Sequence, residues 1–554
     1  MIIKQWVKSG SPWIWLNAAA VSTCLILVIG ILGLVAVRGL GHYWPSDVAQ
    51  IQYRDKEGVP QVITGELTDS NEISSQRAKD AGYLDADIGS GRTVEQYLIK
   101  VGNRDISGMD FRWILVNTIS QMTYPEQLIV LERREWGNFY GTLVGVKEGG
   151  KSIAQGNEAW DVAQQLLAAA LEVYEEIKQL EKKEIGAINY SLERLRLKQR
   201  KLELQKAWTD AAKQEMATEK AAYQVDYKRY QEQLKALYVK ANKESLVVKT
   251  GEGIERDIPI GKIVKAYQPN SMNIFTKVGH YFSKLGEFLS EDPREANTEG
   301  GIFPAIFGTV LMVMLMAVIV TPFGVIAAVY LREYAKQGFT TQLIRIAVNN
   351  LAGVPSIVYG VFGLGFFVYI LGGNIDQLLY PESAPAPVFG TPGLMWASLT
   401  LALLTLPVVI VATEEGLSRI PKSIREGSLA LGATKLETLW LTVLPMASPA
   451  MRTGLILAVA RAAGEVAPLM LVGVVKLAPT LPLDGNFPFL HLDRKFMHLG
   501  FHIYDVGFQS PNVEAARPLV YATSLLLVMV IVGLNLTAVT IRNHLREKYR
   551  ALEG

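Results

Sequence analysis

Six stretches of this chain carry so little charge over so great a length that a bilayer is the natural environment for them. The first, Ser9 to Val37, has no charged residue between Lys8 and Arg38, and a helix over it outreaches a hydrocarbon core of about 30 Å. Five more crowd the C-terminal half: Gly300 to Leu331, Ile346 to Ile375, Ser383 to Thr413, Thr453 to Val475 and Pro518 to Ile541. A cleaved signal peptide has a shorter apolar region, and no small-residue cleavage site precedes His42-Tyr43-Trp44-Pro45, so residues 1–37 read as a retained transmembrane anchor. Six spans place both termini on the same side.

Short loops rich in Lys and Arg stay in the cytoplasm. With the N-terminus inside, the cytoplasmic segments hold Lys4 and Lys8, then Arg332, Lys336 and Arg345, then Arg419, Lys422, Arg425, Lys435 and Arg452, then Arg542, Arg546, Lys548 and Arg550. The opposite loop at Asp376 to Glu382 has neither Lys nor Arg, and the longer one, Lys476 to Ala516, is mixed in sign. Residues 38–299 are then extracytoplasmic. The remaining composition agrees with two materials in one chain: Gly39 to Glu299 holds 35 basic and 39 acidic residues, against 20 and 14 elsewhere. A net charge of +2 excludes a basic nucleic-acid footprint, and a single cysteine, Cys24, excludes a disulfide-stapled scaffold.

Within 38–299, period-two stretches rich in β-branched and aromatic residues predict strands: VEQYLIKV from Val94, FRWILVNT from Phe111, QLIVLERR from Gln127 and FYGTLVGV from Phe139. From Glu158 to about Ser245 there is no proline and only one glycine, Gly186, which predicts a long helix pair bending near that residue. One heptad column runs Leu195, Leu202, Thr209, Met216, Tyr223, Tyr230 and Leu237, while its companion column is mostly polar until Tyr227 and Leu234. That describes a loosely packed helical hairpin rather than a two-stranded zipper. After Ser245 the pattern returns to strand and turn, so the expected plan is one small β domain interrupted by the hairpin at about 158–245.

GVKEGGKS, Gly145 to Ser152, satisfies the phosphate-loop expression, but SIAQGN follows where the loop needs a helix N-terminus facing the phosphates. It reads as a hairpin turn. The chain also lacks the run of four apolar residues followed by Asp-Glu that an ATPase would add, so hydrolysis must come from elsewhere. His280, His491, His498 and His502, with Asp493, show no metal-ligand spacing and read as solvated loop histidines.

The cytoplasmic loop from Glu414 to Arg452 contains EEGLSRIPKSIREGSLALGATKLETLWLTVLP, which predicts helix, turn, helix. The first helix begins after Pro421 and ends at Leu431, where Gly432 supplies a left-handed cap, and a second, amphipathic one runs from Thr434 to Leu444 before Pro445. Glu426-Gly427-Ser428, then Gly432 and Leu444-Pro445, resembles the E-A-A…G…L-P loop of ABC importer permeases. The departure is Gly427-Ser428 for two alanines, which weakens helix propensity while preserving close approach. PFGVIAAVYLREYA from Pro322, LAGVPSIVYGVFGLGFFV from Leu351 and ARAAGEVAPLMLVG from Ala460 are similar to the A-subunit permease of Pst-type phosphate importers.

The resemblance covers roughly 300–554, the five-helix permease core, and suits a long form with an enlarged external domain. It implies a type I-like α-helical integral membrane permease of six transmembrane helices with an inserted extracytoplasmic α+β domain, in the bacterial inner membrane. It also implies inorganic phosphate as cargo, and a second homologous permease subunit, a dimeric ATPase and an extracytoplasmic phosphate-binding protein as partners. Glu426, Gly427, Ser428, Gly432, Leu444 and Pro445 then form the ATPase-coupling element. No catalytic residue, cofactor or metal belongs to this chain on that reading; ATP and Mg belong to the ATPase, and nucleic acid is no partner.

Arg461 and Glu465 lie inside a span, where each ionised group costs about 2.5 to 3.5 kcal/mol. Four residues apart, they share a helix face, and counting from Arg452 at 1.5 Å per residue sets them roughly 13 to 20 Å deep. The planar Arg fork matches phosphate oxygens, and Glu465 either orients that fork or accepts from a protonated phosphate hydroxyl. These two are the expected substrate-pathway residues; the competing reading is a self-neutralising pair that packs the bundle. Pro322, Pro355, Pro407 and Pro468 are expected to interrupt their spans. Two alternatives stand beside phosphate: another oxyanion such as molybdate or sulfate, and a membrane-anchored signalling or scaffold protein whose external hairpin is the working part.

Overall fold

The computed structural model describes residues 9–83, 88, 91–156, 158–510 and 513–550. The chain divides into two units, one drawn from Met1–His42, Ile302–Leu379 and Pro387–Gly554, the other from Tyr43–Gly301 and Tyr380–Ala386. Lys4 and Lys8 of the orientation argument lie outside the described residues, as do the side chains of Arg542, Arg546, Lys548 and Arg550.

The first unit is helical, and six of its helical stretches are long and apolar enough to cross a membrane: Pro12–Gly41, Phe303–Tyr334, Ser356–Leu379, Leu394–Ser418, Lys435–Gly464 and Ala516–Thr540. Its centre is formed by α6 (Phe303–Val329), α9 (Leu394–Ser418) and α11 (Leu444–Gly464), whose Met312, Met316, Leu401, Ala458 and Ala462 are buried together. Apolar burial discriminates little between lipid and protein, so close van der Waals approach must hold such helices together. Glycines supply it. A Cβ on Gly324 would stand 2.6 Å from Val409, one on Gly416 2.5 Å from Ala450, and one on Gly454 2.5 Å from Ala412. The anchor α1 (Ser11–Gly41) meets α13 (Val513–Arg550) in the same way, Gly39 facing the Tyr521 carbonyl while Arg38 lies over the Tyr521 ring.

Three expectations about the spans are corrected. The stretch from Ile346 does not open a helix that runs to Ile375: α7 (Phe339–Leu351) stops first, Pro355 caps the next helix, and α8 (Ser356–Phe362) continues through wider π-turns and a last α-helical stretch to Leu379. Pro322 and Pro407 do not end their spans: each sits within a continuous helix, where it withholds one amide from the ladder. Finally, the span expected at Thr453 to Val475 is displaced toward the N-terminus, to Lys435–Gly464.

The second unit carries two large antiparallel sheets and a short two-stranded pairing of Pro293–Arg294 with Glu299–Gly300. In the first, the order is β4-β3-β2-β1-β5, with β1 (Val48–Arg54), β2 (Pro60–Ser74), β3 (Thr93–Lys100), β4 (Phe111–Leu115) and β5 (Ile119–Thr123). In the second, it is β10-β9-β7-β6-β11 with β8 beside β7, built from β6 (Leu128–Arg133), β7 (Phe139–Glu148), β8 (Lys151–Gln155), β9 (Glu244–Lys249), β10 (Glu255–Pro259) and β11 (Ile263–Tyr267). Glu148 pairs with Lys151 across Gly149 and Gly150, both at positive φ, so the phosphate-loop lookalike is the expected hairpin turn.

The helical insertion lies between β8 and β9. Helix α2 (Glu158–Gln179) packs Ala159, Ala163 and Leu167 on the second sheet, and passes through π-turns into α3 (Gly186–Leu204). Gly186 has ordinary helical dihedrals and the chain does not reverse there. Reversal comes at residues 205–209, where Lys206 takes φ 56° and the Thr209 side chain caps α4 (Asp210–Ala241) by accepting from the Ala212 amide. The heptad column therefore runs down one arm and back up the other, burying Leu195 on α3 and Met216 on α4.

Helix α5 (Ile274–Ser290) is tied to the second sheet by buried charge: Lys284 donates to Glu132 of β6 and, at 2.9 Å, to Glu287, which also accepts from Lys265 at 2.6 Å. Burial drives Glu287 up, but the two ammonium groups outweigh it and hold the carboxyl near about 2. His280, its ring 4.4 Å from that of Tyr267, is pushed down to about 4, first by burial and then by Lys265 and Lys284, with Glu132 and Glu287 opposing. Its folded pKa lies below the 6.5 of an unfolded chain, so the unfolded state binds the proton first as pH falls. The stabilising contribution is complete above pH 6.5 and is lost toward pH 4. Thermal unfolding of the purified chain across that window is expected to show a smaller drop in Tm for His280→Phe, which keeps a ring against Tyr267, than for the wild type; parallel slopes would assign the drop to other groups.

Candidate functional site

Helix α11 ends at Gly464, and Glu465 takes extended dihedrals at its C-cap. The sequence explains the stop: glycine weakens the last turn, and Pro468 disfavours helical geometry at Ala467. A short helix, α12 (Leu469–Val472), resumes after Pro468. Backbone outside a helix must be satisfied by protein or by water in a lined cavity. Here Gly473 approaches the Gly393 backbone so closely that a Cβ would stand 2.6 Å from its carbonyl, the Gly393 amide donates to the Val472 carbonyl, and the Phe496 amide donates to Gly473. Helix α8 seats on the break through Gly360, whose Cβ would fall 2.7 Å from the Pro468 Cα, and Gly363 meets Thr400 of α9.

Arg461 and Glu465 flank this helix end. They do not share a helix face as expected, because only Arg461 is helical. They still face one another, Arg461 Nε lying 3.7 Å from Glu465 Oε1, an ion pair too long for a hydrogen bond. Arg461 in the last turn is favoured by the helix dipole. Both side chains keep some exposure, 33% and 22%, and among the described residues no acceptor is hydrogen-bonded to the guanidinium. A planar fork of donors at a helix break, with one carboxylate facing it, is chemically suited to a tetrahedral oxyanion.

The second site is the loop after α9. Helix α10 (Lys422–Ala430) follows Pro421, Leu431 is its C-cap, and Gly432 adopts φ 91°. Thr434 and Glu437 form a reciprocal capping box for the next helix. That helix does not stop at Pro445, as expected: it runs on through π-turns into α11, with Pro445 in the first turn of its α-helical part, where a missing amide costs least. The two arms of the loop are joined by Ser428 Oγ and Thr438 Oγ1 at 2.9 Å, while Gly427 faces open space. Glu426 is exposed, and Leu429, Leu431 and Leu436 project outward, Leu431 with 92% of its surface free.

What holds this loop was not legible in the sequence. Arg425 donates to Glu333 Oε1 at 2.7 Å and to the carbonyls of Leu417 and Ile420, and Lys435 donates to the Glu333 carbonyl at 2.6 Å. The clamp thus ties the loop to the last turns that follow α6. Beside it a cavity of about 260 Å³ is lined by Arg332, Arg345, Asn349, Glu414, Glu415 and Ser418, and Arg345 pairs with Glu414 at 2.7 Å. The only sequence signal for these residues is their bias of charge at span ends.

Among the described residues no three His, Cys, Asp or Glu side chains group together as metal ligands would. The histidines of the long loop are not solvated, since His491, His498 and His502 are buried. His491 meets Asp484 at 2.9 Å, His498 accepts from the Gly500 amide, and His502 lies 3.5 Å from the Thr523 hydroxyl.

Residues 320–551 match the family model described as binding-protein-dependent transport system inner membrane component. Phosphate transport system permease protein PstA 1 of Mycobacterium tuberculosis (strain CDC 1551 / Oshkosh) is 36% identical over 245 residues, 44% of this chain and 71% of that protein. Probable ABC transporter permease protein YqgH of Bacillus subtilis (strain 168) is 32% identical over 203 residues, 36% of this chain and 62% of its own. PstA of Yersinia pestis is 31% identical over 255 residues, 46% of this chain and 76% of its own.

Removing the Arg425 guanidinium leaves Glu333, nearly buried, and two carbonyls without their donor. Arg425→Met is expected to lower the stability of the solubilised chain by about 1–3 kcal/mol, and Arg425→Lys to recover only part, because one ammonium cannot reach all three acceptors. Thermal unfolding with limited proteolysis of the 421–436 loop checks this; full recovery by lysine would reduce the clamp to simple charge attraction.

Proposed function

Because the chain belongs to the PstA-type phosphate permeases among the inner membrane components of binding-protein-dependent transport systems, we propose that it carries inorganic phosphate inward across the membrane, powered by a separate ATPase. The family makes it a multi-pass membrane permease subunit and not an enzyme. The observation that carries the substrate reading is the similarity to PstA, seconded by the partly exposed guanidinium of Arg461 at the break after α11.

In this reading phosphate oxygens take the donors of Arg461, and Glu465 keeps the fork turned toward the break or accepts from a protonated phosphate hydroxyl. The termini and the α10 loop face the cytoplasm and Tyr43–Gly301 faces outward, by the bias of Lys and Arg. A second homologous permease completes the pathway, an external phosphate-binding protein delivers the anion, and ATP with magnesium is bound by a dimeric ATPase. The exposed Glu426, Leu429 and Leu431 seat in that ATPase, and the Glu333–Arg425 clamp makes the loop move with α6 rather than yield when pushed.

Phosphate uptake by cells or vesicles carrying the partner subunits tests this. Arg461→Gln, with insertion and assembly shown equal to wild type, is expected to lose at least about tenfold of uptake at low phosphate, since a charge-assisted hydrogen bond contributes roughly 1.5–3 kcal/mol. Unchanged uptake would return the pair to a packing role, and uptake of sulfate or molybdate in place of phosphate would change the cargo. A second prediction separates coupling from binding: Gly432→Val, which forces a branched side chain into φ 91°, is expected to leave ATP hydrolysis by the assembled complex poorly coupled to uptake, while substrate delivery stays intact. Normal coupling in that variant would remove the loop from the power stroke.

A further inference from the structure

Helix α5 is amphipathic in the inverse sense. A helix on a water-facing domain turns its apolar stripe inward and its charges outward. Here Lys277 reaches Asp47 at 2.5 Å, Lys284 reaches Glu132 and Glu287, and His280 stacks on Tyr267, so the charged side chains of the helix turn inward beside the buried Phe288. Outward point Ile274, Phe275, Val278, Phe282 and Leu289, with Phe275 83% and Phe282 63% exposed. Their spacing of three and four residues makes one continuous stripe. Gly279 and Gly286 open the same surface between them, with no neighbour within 4 Å of either Cβ position.

What covers the stripe follows from its neighbours in the same unit. Tyr281 of α5 lies with its ring 6.2 Å from that of Trp44 and 6.4 Å from that of Tyr43, and Phe288 lies 5.2 Å from Tyr43. Trp44 follows the last residue of the anchor, Gly41, by only three residues, a reach of at most about 11 Å. Chain continuity alone therefore keeps this aromatic group at the level where hydrocarbon gives way to headgroups, the depth that Trp and Tyr favour. A large apolar stripe adjoining such a belt, with its charges consumed on the opposite face, meets the description of a helix lying in the membrane interface.

We propose that α5 is an interfacial helix, lying along the bilayer surface with Ile274, Phe275, Val278, Phe282 and Leu289 set among the lipid chains. The buried Lys284–Glu132–Glu287 group then has a purpose beyond stability: it frees the outer face of α5 of charge, so that the face can fasten the folded unit to the lipid surface. The inference needs α1 to be inserted and is independent of which substrate the permease carries.

The test uses the full chain with Cys24→Ser, since Cys24 is its single cysteine, reconstituted in vesicles of phosphatidylethanolamine and phosphatidylglycerol. A nitroxide is placed at Phe275→Cys or Phe282→Cys, and as a water-exposed reference at Val225→Cys on α4, which is 67% exposed. Collisions with oxygen, which dissolves in lipid, are compared with those of a water-soluble nickel chelate. Both α5 labels are expected to show a several-fold higher oxygen-to-nickel ratio than the α4 label. A ratio equal to that of α4 would put the stripe in water, and shielding from both reagents would put it against protein, a second copy or a partner subunit; either result overturns the proposal. Two independent label positions guard against one that disturbs the fold, and transport is not part of the readout, so failure here leaves the phosphate reading untouched.

Discussion

A backbone amide or carbonyl freed at a helix end must find a partner in the protein or in water, and that demand governs the stretch where α11 ends. Once Gly464 and Pro468 stop the helix, the freed backbone has to be enclosed. The enclosure explains features that are otherwise unrelated: Gly360 and Gly363 letting α8 settle on the break, Gly393 and Gly473 meeting backbone to backbone, and the Phe496 strand-like segment donating into the same place. A charged pair is tolerable at such a site because the helix end stabilises Arg461 and Glu465 faces it.

The same physical logic extends to the opposite end of α11. Its N-terminal turns are continuous with the second arm of the α10 loop, so one helical run joins that loop to the Arg461 end. Glu333 receives Arg425 through its carboxylate and Lys435 through its carbonyl, which joins the two arms to the chain following α6. Close glycine contacts pack α6 against α9 and α9 against α11. The departure from two alanines in the loop is also accounted for: Ser428 supplies the hydroxyl that bridges to Thr438, and Gly427 presents bare backbone to whatever docks there.

In the second unit, polar groups do the fastening that glycine does in the first. Water outside allows charges to be buried only when each is answered, and Lys284, Lys265, Glu132 and Glu287 answer one another between α5 and the second sheet. The result is a helix whose outward face is apolar, an arrangement that periodicity alone reads the wrong way round.

Residue patterns alone were enough for the membrane spans in kind and number, the strands at Val94, Phe111, Gln127 and Phe139, the β-turn at Gly149-Gly150, and the helix that starts after Pro421 and is capped at Gly432. These are local: hydropathy over some twenty residues, alternation over five, a proline or a positive-φ glycine. Helix ends were less legible, since Pro322, Pro407 and Pro445 are absorbed where packing outweighs a missing hydrogen bond, and Thr209 rather than Gly186 turns the hairpin because a cap needs only one side-chain oxygen. Only the tertiary structure decided that β1 and β2 complete a separate sheet, that Arg425 finds Glu333 and Arg345 finds Glu414, and that Glu465 lies beyond the helix of Arg461. Those partners are 92 and 69 residues apart in the first two cases, and nothing in one-dimensional periodicity carries a pairing across such a distance; it is fixed by which helices the glycines allow to touch.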